Sequence, residues 1–287
     1  MTELTDAAIL RIAAPDRKGI VHAVTRFLDQ QGGNILELEQ FVDQEVDTFF
    51  MRVVWDMAGF SAPLARFDDL FAPVAEPLRM TWQVSSTTER SRLALFVSKE
   101  PHCLAEALLQ WRLGGLPVDI PLVIGNQPHA RDLAEKFGVP FFHIPFEEGR
   151  QEEVEIRQKE LLKEYRIDFV GLARYMRILS PAFVGEWTDR IINIHHSFLP
   201  AFAGADPYGQ AYRRGVKIIG ATAHFVTAEL DAGPIIAQEV RPVDHSHSVP
   251  MLREIGRETE RSVFFTALRK FAERKIVRYG NRTVIFR

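Results

Sequence analysis

Residues 92–98, Arg-Leu-Ala-Leu-Phe-Val-Ser, form an apolar run that decides the fold class of the larger part of the chain. The run has the length of a buried strand and is followed by a helical pattern over residues 101–112. Further strand and helix patterns alternate after it, at residues 120–124, 130–137, 140–144, 152–165 and 169–173. Strands that alternate with helices predict an α/β domain with a Rossmann-like, mostly parallel sheet covered by helices on both faces. The last residues, 277–286, predict a terminal strand pair around the turn Gly280-Asn281.

A different order of elements precedes that run. Four strand patterns and two helical patterns follow one another as βαββαβ, at residues 8–13, 20–31, 35–42, 48–55, 63–75 and 79–84. This order is the ferredoxin-like motif. The polar residues 85–90, Ser-Ser-Thr-Thr-Glu-Arg, have the composition of a linker. We therefore predict a small domain over residues 1–84, a linker over 85–91 and a second domain over 92–287.

The composition limits the location of the protein and the classes of partner. The 287 residues carry 35 basic and 38 acidic side chains, a net charge of −3, which gives no reason to expect nucleic acid as a partner. No run approaches the roughly 18 apolar residues of a membrane span, and residues 1–6 lack the basic and apolar segments of a signal peptide. The single cysteine, Cys103, fits a reducing compartment. We predict a cytoplasmic protein without a nucleic-acid or membrane partner.

The side chains that can carry chemistry are concentrated between residues 191 and 234. If Ile191–His195 is a strand, Asn193 and His195 share one face, because side chains alternate along a strand. An amide and an imidazole side by side can both donate to one carbonyl oxygen, as donors that stabilise an oxyanion do. Asp231 follows in a later loop, and a carboxylate beside a histidine can orient it, raise its pKa or pass protons. Open α/β sheets bind ligands beyond the carboxyl ends of their strands.

Four short motifs in this region resemble the formyltransferase family that uses 10-formyltetrahydrofolate. They are Asn-x-His at 193–195, Ser-x-Leu-Pro at 197–200, His-Phe-Val-Thr at 224–227 and Leu-Asp-x-Gly-Pro at 230–234. The segment 172–183 is similar to the part of that family that lies along the pterin. The longer runs 193–202 and 215–224, with Tyr-Gly-Asn-Arg-Thr at 279–283, resemble the formyltetrahydrofolate deformylases in particular.

The resemblance implies a reaction and a set of site residues. Water would attack the formyl carbon on N10 and release formate and tetrahydrofolate. The reaction would supply formate for purine biosynthesis and balance the one-carbon pool. Asn193 and protonated His195 would stabilise the oxyanion, and Asp231 would relay the proton. The implied substrate-binding residues are Tyr175, Met176, Arg177, Ile178, Leu179, His224, Thr227 and Gly233. Because folate already activates the formyl group, the resemblance implies no metal and no redox cofactor.

The triad of Asn193, His195 and Asp231 does not by itself distinguish hydrolysis from transfer of the formyl group to an amine. Transfer to a ribonucleotide amine needs a phosphate cradle, usually glycine-rich backbone that opens a helix. Residues 97–103, Val-Ser-Lys-Glu-Pro-His-Cys, contain no glycine and place the Glu100 carboxylate where the phosphate would approach. Lys99 could still hold an anion. A formyltransferase with an unidentified amine acceptor and a non-catalytic folate and amino-acid sensor therefore remain alternatives to the hydrolase.

Two positions depart from the deformylase pattern, and one further histidine needs an interpretation. Asp206 stands where an arginine is usual and Gly209 where a histidine is usual, so contacts with water or the folate tail can differ. His196 is predicted to face away from His195, because adjacent strand residues point to opposite faces. The same alternation argues against a zinc site built from His195, His196 and His224.

The N-terminal part resembles the ACT domain, a ferredoxin-like module that commonly binds amino acids. The motifs that carry this resemblance are Asp-Arg-x-Gly-Ile-Val at 16–21 and Gly-Gly-Asn-Ile at 32–35. It implies an effector site at Gly32, Gly33 and Asn34, with glycine and methionine as candidate effectors. Small sheets of this kind usually bury an edge or a face by association, so we predict a homo-oligomer through this domain.

Overall fold

The structure is a computed structural model that describes residues 6–147, 149–199 and 207–287. The chain divides into two compact units. The first contains the chain up to Arg90 together with Glu273–Tyr279 and Val284–Arg287, and the second contains Ser91–Ala272 and Gly280–Thr283. The predicted second domain, 92–287, thus differs from the second unit at its C-terminal end. Within the described residues, no helix is long and apolar enough to cross a membrane.

The first unit has the predicted βαββαβ order. Its elements are β1 (Ala7–Pro15), α1 (Ile20–Gln30), β2 (Asn34–Asp43), β3 (Thr48–Asp56), α2 (Phe67–Ala75) and β4 (Thr81–Ser86), with single 3₁₀ turns at Leu64–Arg66 and Glu76–Leu78. The strands form an antiparallel sheet in the order β2-β3-β1-β4. The last strand extends further than predicted, because Ser85 and Ser86 pair with Ile9 and Ala8 of β1. The connection between the units is therefore residues 87–90 rather than the predicted 85–91.

One face of this sheet is covered by the two helices. Alternate residues of β1 and β3, such as Leu10 and Met51, are fully buried under Phe27 of α1 and Phe71 of α2. Alternate strand residues belong to this buried cluster, and the buried residues of α1 have helical spacing, which explains why the sequence patterns identified these elements.

The end of the chain completes the other face of the first unit. The predicted terminal strand pair is present as β12 (Ile276–Tyr279) and β13 (Arg282–Ile285). Val284 and Phe286 form a buried cluster with Phe50 of β3. The Tyr279 hydroxyl donates a hydrogen bond of 2.6 Å to Asp43 Oδ2. These contacts explain why Glu273–Tyr279 and Val284–Arg287 belong to the first unit.

The second unit is built on a seven-stranded sheet in the order β11-β10-β9-β8-β5-β6-β7. Its strands are β5 (Ser91–Val97), β6 (Val118–Gly125), β7 (Phe141–His143), β8 (Phe169–Ala173), β9 (Ile191–His195), β10 (Ile218–Phe225) and β11 (Ile235–Pro242). The helices are α3 (His102–Arg112), α4 (Arg131–Lys136), α5 (Gln151–Glu164), α6 (Pro181–Glu186), α7 (Pro207–Arg214) and α8 (Val249–Ala272), and a 3₁₀ turn covers Pro128–Ala130. Strands β5 to β9 pair in parallel, whereas β10 and β11 are antiparallel to their neighbours. The mostly parallel sheet predicted from the sequence is confirmed.

Helix α8 has no counterpart among the predicted elements. It packs against α3, β9, β10 and β11. Its buried side includes Thr259 and Glu260 besides apolar residues, and Gly256 interrupts its run of side chains. Buried polar residues weaken the apolar periodicity by which a helix is identified in a sequence.

Candidate active site

Neighbouring strands of the second unit bring the candidate catalytic residues together. In the sheet register, Asn193 of β9 lies beside Leu172 of β8 and opposite His224 of β10. The loop that follows β10 carries Asp231 to the same place. These residues line a cavity of about 270 Å³, together with the segment after β8. The cavity thus lies where an open α/β sheet binds its ligand, at the carboxyl ends of β8 and β9.

His195 and Asp231 form the central pair of the site. His195 Nδ1 lies 3.2 Å from Asp231 Oδ2, so the ring nitrogen that faces the carboxylate carries a hydrogen. The opposite nitrogen, Nε2, is buried and has no hydrogen-bond partner among the described residues. A carboxylate on one side of the ring fixes its orientation and leaves the other nitrogen free to address a substrate.

The environment of Asp231 keeps its carboxylate ionised. Hydrogen bonding from His195 lowers the pKa of Asp231 well below its usual value. Its backbone has a φ of 55°, in the left-handed region that aspartate and asparagine tolerate better than most side chains. Residues held in such conformations are concentrated at functional sites.

His224 lies between Asn193 and Asp231. Its Nδ1 donates to the Phe225 carbonyl at 2.8 Å, which leaves Nε2 of the neutral ring as an acceptor. The amide nitrogen of Asn193 lies 3.2 Å from that Nε2, and Asp231 Oδ1 lies 3.6 Å from it. His224 lines the cavity but is only 2% exposed, and its Nε2 lies next to Asn193 and Asp231.

The predicted substrate-binding segment forms one wall of the cavity. Tyr175, Met176, Arg177, Ile178 and Leu179 all line it, and Met176 and Ile178 are more than half exposed. Arg177 stacks on the ring of Phe146, with its guanidinium carbon 4.3 Å from the ring centroid. An apolar wall with exposed side chains suits a flat aromatic ligand.

The loop that carries Asp231 is held in place by contacts at both of its ends. Thr227, which lines the cavity, donates to the Glu229 carbonyl at 2.9 Å. Asn281, in the turn of the terminal strand pair, donates to the Ala232 carbonyl at 3.1 Å. Gly233 lies outside the cavity lining, and a Cβ at this position would come within 1.8 Å of the Phe225 carbonyl oxygen. The structure therefore gives Gly233 a role in closing the loop.

Replacing Gly233 by alanine is expected to lower the kcat of this site by about a hundredfold, the cost of a misplacement of about 1 Å. The added methyl group would push the backbone away from Phe225 and carry Asp231 with it. Steady-state kinetics of the two variants and the wild type measure the effect. Gly185→Ala is the matched control, because a Cβ at Gly185 meets nothing within 4 Å. Equal activity of the two variants would contradict this role of Gly233.

His196 lies closer to the site than the strand alternation predicts. Both His195 and His196 line the cavity, and their ring centroids are 5.1 Å apart. Strand β9 ends at His195, so the alternation no longer applies to the next residue. Burial, with the charges of Arg174 and His195, lowers the pKa of His196 to about 4. His196 is therefore a neutral ring at physiological pH.

Sequence and structure comparisons agree on the relatives of this chain. The family described as formyl transferase matches residues 91–268, and the ACT domain family matches residues 8–56. A formyltetrahydrofolate deformylase of Bacillus subtilis (strain 168) is 46% identical over 282 residues, which cover 98% of this chain and 94% of that protein. The chain belongs to the formyltetrahydrofolate deformylase family. The crystal structure of a formyltetrahydrofolate deformylase from Pseudomonas syringae pv. tomato agrees, with a TM-score of 0.97, 40% identity and coverage of 100% of this chain and 96% of that one.

Part of the chain also resembles a transferase. A glycinamide ribonucleotide transformylase 1 from Symbiobacterium toebii gives a TM-score of 0.67 at 33% identity, and the match covers 70% of this chain and 97% of that one. The shared fold does not choose between water and an amine as the acceptor. The cavity lining also contains Arg174, a residue that the sequence motifs do not single out.

The remaining predicted residues have other surroundings. In the ACT domain, a Cβ at Gly32 would approach the Gly59 carbonyl oxygen to 2.4 Å, and one at Gly33 would approach the Trp55 ring to 2.9 Å. Packing therefore accounts for both glycines, and effector binding there, with Asn34 at the start of β2, stays a prediction. Of the two departures from the deformylase pattern, Gly209 lies in α7, and Asp206 lies outside the described residues.

Proposed function

We infer that the chain hydrolyses 10-formyltetrahydrofolate to formate and tetrahydrofolate. The observation that carries this inference is the His195–Asp231 pair, whose free Nε2 belongs to the lining of a cavity with an apolar wall. Family membership supplies the substrate, and the pair supplies groups for the chemistry. No second function is favoured by the geometry.

The geometry supports a mechanism in which each group has one task. Water attacks the formyl carbon, and the carbonyl oxygen becomes an oxyanion that accepts hydrogen bonds from Asn193 and from protonated His195. Asp231 takes one proton from the attacking water. The bond between carbon and N10 then breaks, and N10 takes up the proton that Asp231 returns.

The proposed reaction needs no resident metal or redox cofactor. The formyl group leaves with its oxidation state unchanged, so no electron carrier is required. The N10 nitrogen of folate is an aromatic amine and a better leaving group than an alkyl amine. Protein donors are therefore sufficient to stabilise the oxyanion.

Incubation of the purified protein with 10-formyltetrahydrofolate tests the proposal. Formate and tetrahydrofolate should appear in equal amounts without any added amine or metal. Transfer of the formyl group only to an added amine would show that the protein is a transferase. Folate binding without any turnover would show that it is a sensor.

We further propose that the ACT domain pairs with a second copy through β2 and responds to an amino-acid effector. Strand β2 is at an edge of the sheet, and its side chains Leu36, Leu38 and Phe41 are between 38% and 48% exposed. An exposed apolar edge strand is a template for pairing with another strand. Without such pairing, this apolar surface would stay exposed to water.

The pairing predicts that Leu36→Glu shifts the protein towards monomers, because two such charges would oppose each other across a symmetric edge. The dimer dissociation constant should rise by about tenfold or more, the factor that corresponds to about 1.4 kcal/mol. Sedimentation velocity over a concentration series measures it. Val46→Glu is the control, since Val46 is also exposed but lies in the turn after β2. A wild-type protein that is monomeric at all concentrations would exclude the pairing.

A further inference from the structure

A buried group of polar side chains lies next to the catalytic cavity and has no task in the mechanism above. At its centre is Glu260 of α8, which is 1% exposed. Its carboxylate accepts a hydrogen bond of 2.7 Å from the Tyr208 hydroxyl and one of 2.8 Å from His102 Nε2. Its third partner is Arg174, whose Nε lies 3.4 Å from Glu260 Oε2. Glu260 and these three partners, His102, Arg174 and Tyr208, form the Glu260 cluster.

The electrostatics of the Glu260 cluster keep a charged carboxylate inside the protein. Burial alone would raise the pKa of Glu260, but the hydrogen bond from His102 and the charge of Arg174 outweigh it and lower that pKa. Burial and the charge of Glu260 raise the pKa of Tyr208, so its hydroxyl stays protonated and donates. A buried carboxylate is retained only when such partners compensate its desolvation.

The backbone of α8 is adapted to this cluster. Gly256 lies one turn before Glu260, and a Cβ on it would come within 2.0 Å of the Tyr208 hydroxyl oxygen. A glycine inside a helix is less favourable than alanine by about 0.5–1 kcal/mol. Here the glycine opens the path by which Tyr208 reaches Glu260.

Arg174 connects the cluster to the cavity. It follows β8 directly, with a φ of 61°, and belongs to the lining of the same cavity as His195 and Asp231. Its side chain is only 14% exposed. Its Nε and Nη1 atoms are buried and have no hydrogen-bond partner among the described residues. Buried donors without a partner are rare in proteins, and a ligand or an ordered water is the usual explanation.

A metal ion is a poor explanation for the same cluster. Ligand atoms of His102, Cys103 and Glu260 do lie within 4.8 Å of one another. However, the guanidinium of Arg174 already provides a positive charge at the carboxylate. Burial, together with the charge of Glu260, raises the pKa of the Cys103 thiol, so its thiolate form is disfavoured. Metal binding needs the thiolate.

We propose that Arg174, held by Glu260, forms the water side of the active site and selects water over an amine as the nucleophile. Its Nη1 group, which has no partner among the described residues, donates to the oxygen that comes from water in the tetrahedral intermediate. After N10 has left, it donates a charge-assisted hydrogen bond to the formate carboxylate. The proposal rests on the proposed hydrolase function and names the group that makes the site specific for it.

Charge explains the selection. Water attacks as its proton passes to Asp231, so its oxygen has hydroxide character in the transition state, and a fixed cation beside that oxygen stabilises it. When a neutral amine attacks, its nitrogen becomes positively charged until it loses a proton. A fixed guanidinium next to that nitrogen destabilises the adduct, more strongly in a buried site than in water.

The steps balance without another reactant. One oxygen–carbon bond forms from water, and one carbon–nitrogen bond to N10 breaks. One proton of water reaches N10 through Asp231, and formic acid releases its remaining acidic proton to solvent as formate forms. Arg174 keeps its charge throughout and exchanges no proton.

Two variants, Arg174→Met and Arg174→Lys, test whether Arg174 selects water. The controls are Arg257→Met and Arg257→Lys, because Arg257 is exposed on α8. Formate release is measured alone and with hydroxylamine or glycinamide, and formylated amine is measured by mass spectrometry. Both Arg174 variants should lose about 10²-fold in hydrolytic kcat, as on loss of one oxyanion donor. Product inhibition by formate should weaken by about tenfold or more, and the methionine variant should form relatively more formylated amine. Arg174→Lys keeps the charge and gives the hydrolysis and formate readouts even where the methionine variant does not fold.

Glu260→Gln tests the positioning role, with the exposed Glu258→Gln as its matched control. Because Glu260 acts through Arg174, we expect a lower kcat and weaker formate inhibition with KM for the folate unchanged. Gly256→Ala should reproduce the effect by displacing Tyr208. If the wild type hydrolyses the folate and the Arg174 variants keep wild-type hydrolysis and formate inhibition, this inference is wrong and the hydrolase function stands. If the wild type releases no formate, the proposed function itself fails.

Discussion

Asp231→Asn is expected to lower kcat for 10-formyltetrahydrofolate hydrolysis by about three orders of magnitude, with folate binding retained. The carboxylate lies 3.2 Å from His195 Nδ1 and keeps the ring oriented. An amide cannot take a proton from water, and it presents an N–H group that favours the wrong ring tautomer. Loss of a carboxylate that orients a catalytic histidine costs about 10⁴ in kcat in serine proteases.

The same substitution is structurally conservative. Asparagine tolerates the φ of 55° at this position, so the loop can keep its conformation. Asp244→Asn is the matched control, because Asp244 is an exposed carboxylate 3.0 Å from His247 Nδ1 and lies away from the cavity. Formate release gives kcat, and calorimetry with tetrahydrofolate gives binding. An Asp231→Asn variant with more than about a tenth of wild-type kcat would contradict the assigned role.

The lowered pKa of Asp231 also predicts how the stability of the variant compares with that of the wild type. A carboxyl group whose pKa is lower in the folded state stabilises the fold above its unfolded pKa of about 3.9, and this contribution is lost as the pH falls through the folded value. The stability difference between wild type and Asp231→Asn should therefore shrink below about pH 4. Urea unfolding at pH 7 and at lower pH measures the change.

Much of the fold could be predicted because local patterns agree with the tertiary structure. Strand β8 begins and ends at the predicted residues, 169 and 173, since its run is buried on both faces. Helix α8 was not identified, because Thr259 and Glu260 occupy buried positions that an apolar pattern would assign to hydrophobic residues. The place of the terminal strand pair also depends on a distant contact, that of Phe286 with Phe50.

The site could be predicted only in part, for a similar reason. Asn193, His195 and Asp231 belong to two compact motifs, and the structure brings all three to one cavity. The Glu260 cluster joins residues 158 positions apart in the sequence, His102 and Glu260, and no local pattern connects them. His224 was assigned to the substrate from its motif, whereas its hydrogen bonds reach Asn193 and the Phe225 carbonyl. Such partners depend on strand register, which spacing alone does not give.

Asn193→Ala should lower kcat by about 10²–10³, with a much smaller change in KM, because its amide is one of the two donors to the oxyanion. The two hydrogens of Nδ2 have different tasks. One points to His224 Nε2 at 3.2 Å, and the other remains for the substrate. A donor that is held by a neighbour needs no reorganisation when charge develops on the substrate. Steady-state kinetics of formate release gives both constants.

The effect of His224 should depend on Asn193. If His224 acts by holding that amide, His224→Ala lowers kcat, and adding it to Asn193→Ala lowers kcat little further. If His224 acts on the substrate independently, the two losses multiply. A double-mutant cycle separates these cases, since contacting residues typically show coupling energies of about 0.5–3 kcal/mol. Because His224 also lies 3.6 Å from Asp231, a cycle with Asp231→Asn should show coupling of its own, and additive losses in both cycles would refute the positioning role of His224.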